Sequence, residues 1–243
     1  MRLRHLGKNQ MKSVVIITGA SRGIGLATAE HFKTHAWQVV NIARKPCTVN
    51  GAINLAIDLS QVGWQQQYRQ ELLNTVSGAD RICIVHNAGV LFKDNVVDLP
   101  EEQLRTTLEV NVIAPALLNQ IFLPLMREHS SIIYVGSTLS DQAAPNTTSY
   151  VVSKHAILGL MRSTCQDLYG TGITTACVCP GFTDTEMMRQ HVGNDPEILK
   201  VIAAKASAKR MVKASEIAET IYFCATHPVV NGSLLHANLG QRQ

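Results

Sequence analysis

The sequence predicts an α/β protein in which one parallel sheet is covered by helices on both faces. Seven short runs rich in Val, Ile and Leu recur along the chain, separated for the most part by stretches long enough for an amphipathic helix. These runs are apolar on both faces, the pattern of strands buried between two layers. A glycine-rich turn closes the first run, at the kind of strand-to-helix junction where such sheets bind ligands.

No Pro/Gly/Ser-rich linker or charge block divides the 243 residues, so a single domain is expected over 13–243. With 46% hydrophobic and 16% charged residues the chain can build a sizeable core, and no uninterrupted apolar run reaches the length of a bilayer. The net charge of +4 comes from Arg2, Arg4, Lys8 and Lys12, beyond which basic and acidic residues balance. A neutral body argues against a nucleic-acid-binding face. Residues 1–12 lack the apolar core of a secretory signal and read as a disordered basic leader. Cys47, Cys83, Cys165, Cys177, Cys179 and Cys224 show no C-x-x-C spacing and fit buried thiols in a reducing compartment, the cytoplasm. His31 and His35 stand four apart with no acidic third ligand nearby, so no metal site is expected.

Taken in order, residues 14–18 form the first strand and run into Thr18-Gly19-Ala20-Ser21-Arg22-Gly23-Ile24-Gly25, followed by a helix over 26–33. Such a turn lets the backbone approach a pyrophosphate, whose charge then sits at the helix N-terminus. Its G-x-x-x-G-x-G spacing differs from the general G-x-G-x-x-G fingerprint. The second strand, 38–43, ends at Ala43 with Arg44 and Lys45 following, where an enzyme for NAD usually carries an acid. A guanidinium there suits the 2′-phosphate of NADP, with Arg22 as a second cation. The third strand, 52–57, leads to Asp58-Leu59 and the fourth, 81–85, to His86-Asn87-Ala88-Gly89, both on the carboxyl edge of the sheet.

Asp98 or Pro100, with Glu101 and Glu102, starts a helix through 104–118 that contains Asn111, an amide among apolar neighbours. The fifth strand, 131–135, leads to Ser137. Beyond it, Tyr150 and Lys154 fall one helical turn apart on one face. A phenol is a weak acid near neutral pH, but an ammonium within a few Å favours its phenolate and equips it to give a proton to a carbonyl oxygen. The same spacing alone also fits a solvated helix-face pair. The sixth strand, 173–179, ends in Pro180-Gly181. In 183–208, Met187, Met188, Ile198, Leu199, Val201 and Ile202 are positioned to close over a substrate as an apolar lid. Ser215 and Glu216 open a helix over 217–225, and 234–238 is the seventh strand.

With the glycine turn, Asp58-Leu59, Asn87-Ala88-Gly89, Asn111, Ser137, Tyr150-x-x-x-Lys154 and Pro180-Gly181 in this order, the chain resembles the short-chain dehydrogenase/reductase family from about residue 13 to 239. Among its branches it looks most like the 3-oxoacyl-acyl-carrier-protein reductases and related carbonyl reductases. The resemblance implies a seven-stranded, doubly wound sheet of Rossmann type and an NADP cofactor. It implies Tyr150 as the acid that protonates a carbonyl oxygen and Lys154 as the cation that tunes it and holds the nicotinamide ribose. Ser137 would donate to the substrate oxygen, and Asn111 would hold a water linking Lys154 to solvent. Gly19, Ser21, Arg22, Gly23, Ile24, Gly25, Arg44, Asp58, Leu59, Asn87, Ala88 and Gly89 would serve the adenosine and pyrophosphate. Pro180, Gly181, the Thr183 backbone and the Thr185 hydroxyl would meet the nicotinamide half. His86 replaces an asparagine common in that turn, so an altered contact is expected, and the tail from Leu239 to Gln243 departs from the usual glycine pair.

The expected activity is therefore NADP-dependent reduction of a ketone to a secondary alcohol, with a 3-oxoacyl thioester on acyl carrier protein or CoA as one substrate. Sugar, steroid, quinone and xenobiotic carbonyls are the alternatives within the same chemistry. A non-catalytic NADP-binding sensor or scaffold is the alternative of another class, and the set Ser137, Tyr150 and Lys154 argues against it. The resemblance further implies that helices over 104–126 and 151–168 pair with a second subunit in a homodimer or homotetramer.

Overall fold

A computed structural model describes residues 11–242. The expected leader thus lies outside the described residues except for Met11 and Lys12. Lys12 is tied to the fold: its N–H donates to Asp80 Oδ2 at 2.8 Å and its ammonium to the Ser77 carbonyl at 2.6 Å.

Seven strands form one sheet: β1 (Ser13–Thr18), β2 (Gln38–Ala43), β3 (Ile53–Ala56), β4 (Arg81–His86), β5 (Ser131–Val135), β6 (Thr174–Pro180) and β7 (Ser233–Ala237). Their order is β3-β2-β1-β4-β5-β6-β7 and every pairing is parallel. The order reverses direction at β1, so the crevice between the carboxyl ends of β1 and β4 is the topological switch point, where open α/β sheets bind ligands.

The connections are α1 (Gly23–Thr34), α2 (Trp64–Gln67), α3 (Arg69–Thr75), α4 (Glu101–Leu108), α5 (Ala114–Phe122), α6 (Thr148–Asp167), α7 (Glu186–Val192), α8 (Pro196–Ala204) and α9 (Ala214–Thr226). Successive residues of a strand face opposite sides, and each side is closed by its own helices. Val14, Ile16, Ile82, Ile84 and Ile132 meet Leu72 of α3, Leu118 and Phe122 of α5, and Ile157 and Met161 of α6. Val15, Ile17, Val85 and Ile133 meet Ala29 and Phe32 of α1 and Ile217 and Ile221 of α9. This is the doubly wound arrangement expected from sequence.

The expected helix around 104–118 is longer and irregular. It starts at Pro100, with Glu101 and Glu102 in its first turn, and is interrupted by a π turn over Glu109–Ile113. Pro115 has no N–H for the carbonyl four residues back, that of Asn111, so a regular α-helix cannot run through this point. Although no uninterrupted apolar run of that length is present in it, Glu101–Leu125 is by length and composition also apolar enough to cross a membrane. The charged residues at its head conceal this in the sequence. Its Leu118, Ile121 and Phe122 pack into the core under the sheet.

Candidate active site

A cleft of about 1970 Å³ opens along the carboxyl ends of the strands. Its first wall is the glycine turn. Gly25 lies in the first turn of α1, which starts at Gly23, three residues before the helix expected from sequence. A β-carbon there would stand 2.2 Å from the Gly19 carbonyl oxygen and 2.6 Å from Asn87 Nδ2, so only glycine lets turn and helix approach. No side chain caps α1 and its first turn carries no acid, which leaves its N–H groups for an anion. Gly19, Ser21, Arg22, Gly23 and Ile24 line the cleft here, while Gly25 sits behind them.

Asn87 and Ala88 fix this turn as well as lining the cleft. Asn87 Nδ2 donates to the carbonyls of Thr18 at 2.9 Å and Gly19 at 3.2 Å, and the N–H groups of Asn87 and Ala88 both donate to Thr18 Oγ1. Buried Asn41 completes the brace. Its Oδ1 accepts from the Ala20 N–H at 2.9 Å, and its Nδ2 donates to Asn54 Oδ1 and to the Lys45 carbonyl. One amide thus joins the glycine turn to the loop bearing Arg44 and Lys45. Sequence reasoning missed Asn41, although an amide in the middle of an apolar strand was the visible signal.

Arg44, Lys45, Asp58 and Leu59 also line the cleft. Burial pushes the Asp58 carboxyl up, but the Ser60 backbone and hydroxyl, at 3.0 and 2.7 Å, and the Arg44 guanidinium together hold it below its ordinary value.

Ser137, Tyr150 and Lys154 all line this cleft. The end of β5 turns sharply after Gly136, where a β-carbon would fall within 2.8 Å of Cys177 Sγ and Ser140 Oγ and 2.7 Å of Cys179 Sγ. Ser137 then caps a short 3-10 turn, its Oγ accepting from the Leu139 N–H at 3.1 Å, so that its own proton remains available to a ligand. Tyr150 and Lys154 lie in the first two turns of α6. Lys154 is only 5% exposed; its Nζ donates to the Val135 carbonyl at 2.8 Å and sits 5.3 Å from the centre of the Tyr150 ring. An ammonium has three donors, so two remain for a bound group.

Asn111 does not line the cleft. The π turn holds it 3% exposed behind α6, where its amide accepts from the Val90 N–H at 2.9 Å and donates to the Val90 carbonyl and to Ser153 Oγ. Its side chain therefore ties the Asn87-Ala88-Gly89-Val90 turn to α6.

A family model described as enoyl-(acyl carrier protein) reductase matches residues 19–241. The chain belongs to the short-chain dehydrogenase/reductase family. An uncharacterized oxidoreductase of Thermotoga maritima is 30% identical over 96% of this chain and 98% of its own length. The 3-oxoacyl-acyl-carrier-protein reductase FabG of Escherichia coli is 27% identical over 93% of this chain and 96% of its own. The crystal structure of a short-chain dehydrogenase family protein from Francisella tularensis matches with a TM-score of 0.85 and 26% identity, over 95% of this chain and 98% of that one. As a member of the family, the protein is an oxidoreductase for carbonyl and alcohol groups that uses a nicotinamide cofactor.

The remaining wall of this dehydrogenase/reductase cleft comes from β6 and the tail. Pro180, Gly181, Thr183 and Thr185 line it. Thr183 Oγ1 donates to the Gly181 carbonyl at 3.0 Å, and Thr185 Oγ1 caps α7 by accepting from the Met188 N–H at 3.3 Å. The atypical tail is tied down: Gln241 Oε1 accepts from the Phe182 N–H at 3.2 Å, and the Arg242 N–H donates to the Lys205 carbonyl at 2.8 Å. Gln241 and Arg242 thereby line the cleft, while Gln243 lies outside the described residues. From 183–208, Met187, Met188 and Ile202 face the cleft, whereas Val201 is exposed at 63%.

His86 departs from its expected altered contact with the cofactor turn, because it does not line the cleft. Its Nε2 bonds Asn119 Oδ1 at 2.8 Å beneath the sheet, and Asn119 Nδ2 donates to the Tyr134 hydroxyl at 2.7 Å. Complete burial pushes the imidazole down to about 4, so it is neutral at physiological pH.

Proposed function

We propose that the protein is an NADPH-dependent reductase of ketones, with a 3-oxoacyl thioester as substrate, and that Tyr150, Lys154 and Ser137 do its chemistry. The observation that carries this is the placement of a phenol and a buried ammonium on successive turns of α6, in the cleft that also holds Ser137 and the glycine turn. Bound there, reduced nicotinamide supplies a hydride. Tyr150 gives a proton to the carbonyl oxygen, and Ser137 donates a hydrogen bond to the same oxygen as charge develops on it. Lys154, held by the Val135 carbonyl, stabilises the phenolate left behind and offers its spare donors to a ribose. Asn111 acts as a positioning residue that locks α6 against the Val90 turn, beside the place where Pro115 breaks the regular helix and a relay of protons to solvent can start.

Preference for NADP over NAD rests on Arg44, Lys45 and Arg22 along the adenosine end of the cleft, with Ala43 where an acid would repel a 2′-phosphate. The free state of all six cysteines suits the cytoplasm. Exposed Ile113 and Leu125 on the α4–α5 segment and Val152 on α6 suit a homodimer built on these helices.

The test is steady-state oxidation of NADPH and NADH with acetoacetyl thioesters and a panel of ketones. Wild type is expected to turn over at least one ketone, faster with NADPH. Tyr150→Phe should lose on the order of 100-fold or more in kcat. Equal rates for the two proteins would end the reading.

A further inference from the structure

We propose that the substrate end of the cleft is built to receive an oxyanion carried by the substrate, with Lys93 and His191 as its receptors. The anion is the carboxylate of an oxo acid or the phosphate of a pantetheine thioester. This deepens the reductase reading and rests on it.

Lys93 lies four residues past Gly89 and its place is fixed by its neighbour. Asp94 is buried, accepts from the Ser149 N–H at 3.0 Å and is hydrogen-bonded by the Ser149 hydroxyl. Its own backbone bonds Asn146 and Thr148, both at 3.3 Å. The chain at Lys93 is therefore clamped to the start of α6, next to Tyr150. From the lid side, α7 brings His191 into the same cleft. Lys93 and His191 both line this cleft, and burial, then the Lys93 ammonium, hold the His191 imidazole below its ordinary value.

Among the described residues Lys93 has no carboxylate partner. Of the acids lining the cleft, Asp141 is engaged by His236 at 2.9 Å, Asp58 lies at the adenosine end beside Arg44, and Glu186 begins α7. Phe92, Met187 and Met188 line the cleft beside the two receptors and would cover a short carbon chain. An apolar chain ending in an anion fits both features, since the anion supplies the charge that Lys93 lacks and makes a protonated His191 favourable.

Two matched pairs of probes test this: butanoate against butanamide, and pantetheine 4′-phosphate against pantetheine. Each is titrated calorimetrically into the NADP-loaded protein. In wild type the anionic member of at least one pair is expected to bind about tenfold more tightly than its neutral partner. In Lys93→Gln, and independently in His191→Gln, that difference should shrink severalfold while affinity for NADP stays unchanged. Equal binding within both pairs, or a difference that survives both substitutions, would overturn the proposal. The pair that discriminates identifies the source of the anion. Turnover of acetoacetate against its methyl ester is read separately: discrimination in binding with no ketone reduced would remove the reductase reading and leave the receptor standing.

Discussion

His86 stores a pH dependence in the fold. In the unfolded chain it takes up a proton below about 6.5, whereas in the folded protein burial delays that to about 4. The unfolded state therefore binds more protons between these values, and stability is lost as pH falls from about 6.5 to about 4, by roughly 3 kcal/mol in all. His86→Asn should lower the overall melting temperature by loss of packing on Tyr134, yet flatten its decline across this window relative to wild type. Parallel melting curves for the two proteins would show that the imidazole titrates as if solvated. Sequence alone marked His86 as an oddity of the cofactor turn but could not reveal which side of β4 it faces. Residue type is likewise silent on Gly136, whose need to be glycine comes from Cys177 and Cys179 on a strand some forty residues away. By contrast, Arg44, Asp58, Ser137, Tyr150 and Lys154 were legible because each follows a strand end or shares a helix face, and local period places them.

At the scale of elements, α6 is started by a side chain from elsewhere. Thr147 at its N-cap makes no side-chain bond to the helix, and Asp94 supplies the missing acceptor to the Ser149 N–H. Asp94→Ala would leave the Ser149 N–H and the Ser149 hydroxyl proton without an acceptor in a buried place, at about 1–3 kcal/mol. Tyr150 is the next residue, so kcat should fall together with the midpoint of urea denaturation. A variant with full kcat and lowered stability would show that the start of α6 does not depend on this cap. Helix starts with their own signals, such as Glu101 with Glu102 or Glu216 of α9, whose Oε2 accepts from the Lys213 N–H at 2.8 Å, were readable in advance, although the expected starter Ser215 lies inside α9, whose N-cap is Lys213. The π turn was not, because period-based reading treats Asn111 as one more residue of a regular helix. Its cause, Pro115 four residues on, is plain only once the backbone pairing is seen.

For the whole molecule, the arrangement of strands and helices was visible from apolar runs alone, since a parallel sheet must be buried on both faces and writes that into every strand. How copies assemble was not, because an apolar residue on a helix reads the same whether it meets the sheet or a neighbour. Ile113 at 42% and Val152 at 45% exposure are not covered by the sheet. Light scattering should return at least twice the 26.5 kDa of one chain, and Val152→Asp should reduce it. A monomeric mass for wild type would remove the dimer.

The strand order carries a kinetic consequence. β1 sits third in the sheet, between β2, which follows it closely, and β4, whose register places Ser13 opposite Arg81. Every parallel pairing must wait for an intervening stretch to be made and closed, so contacts form late and across long loops. A chain emerging from the ribosome would hold its most apolar strand half-paired until β4 arrives. That interval is when aggregation or a chaperone competes with the native sheet.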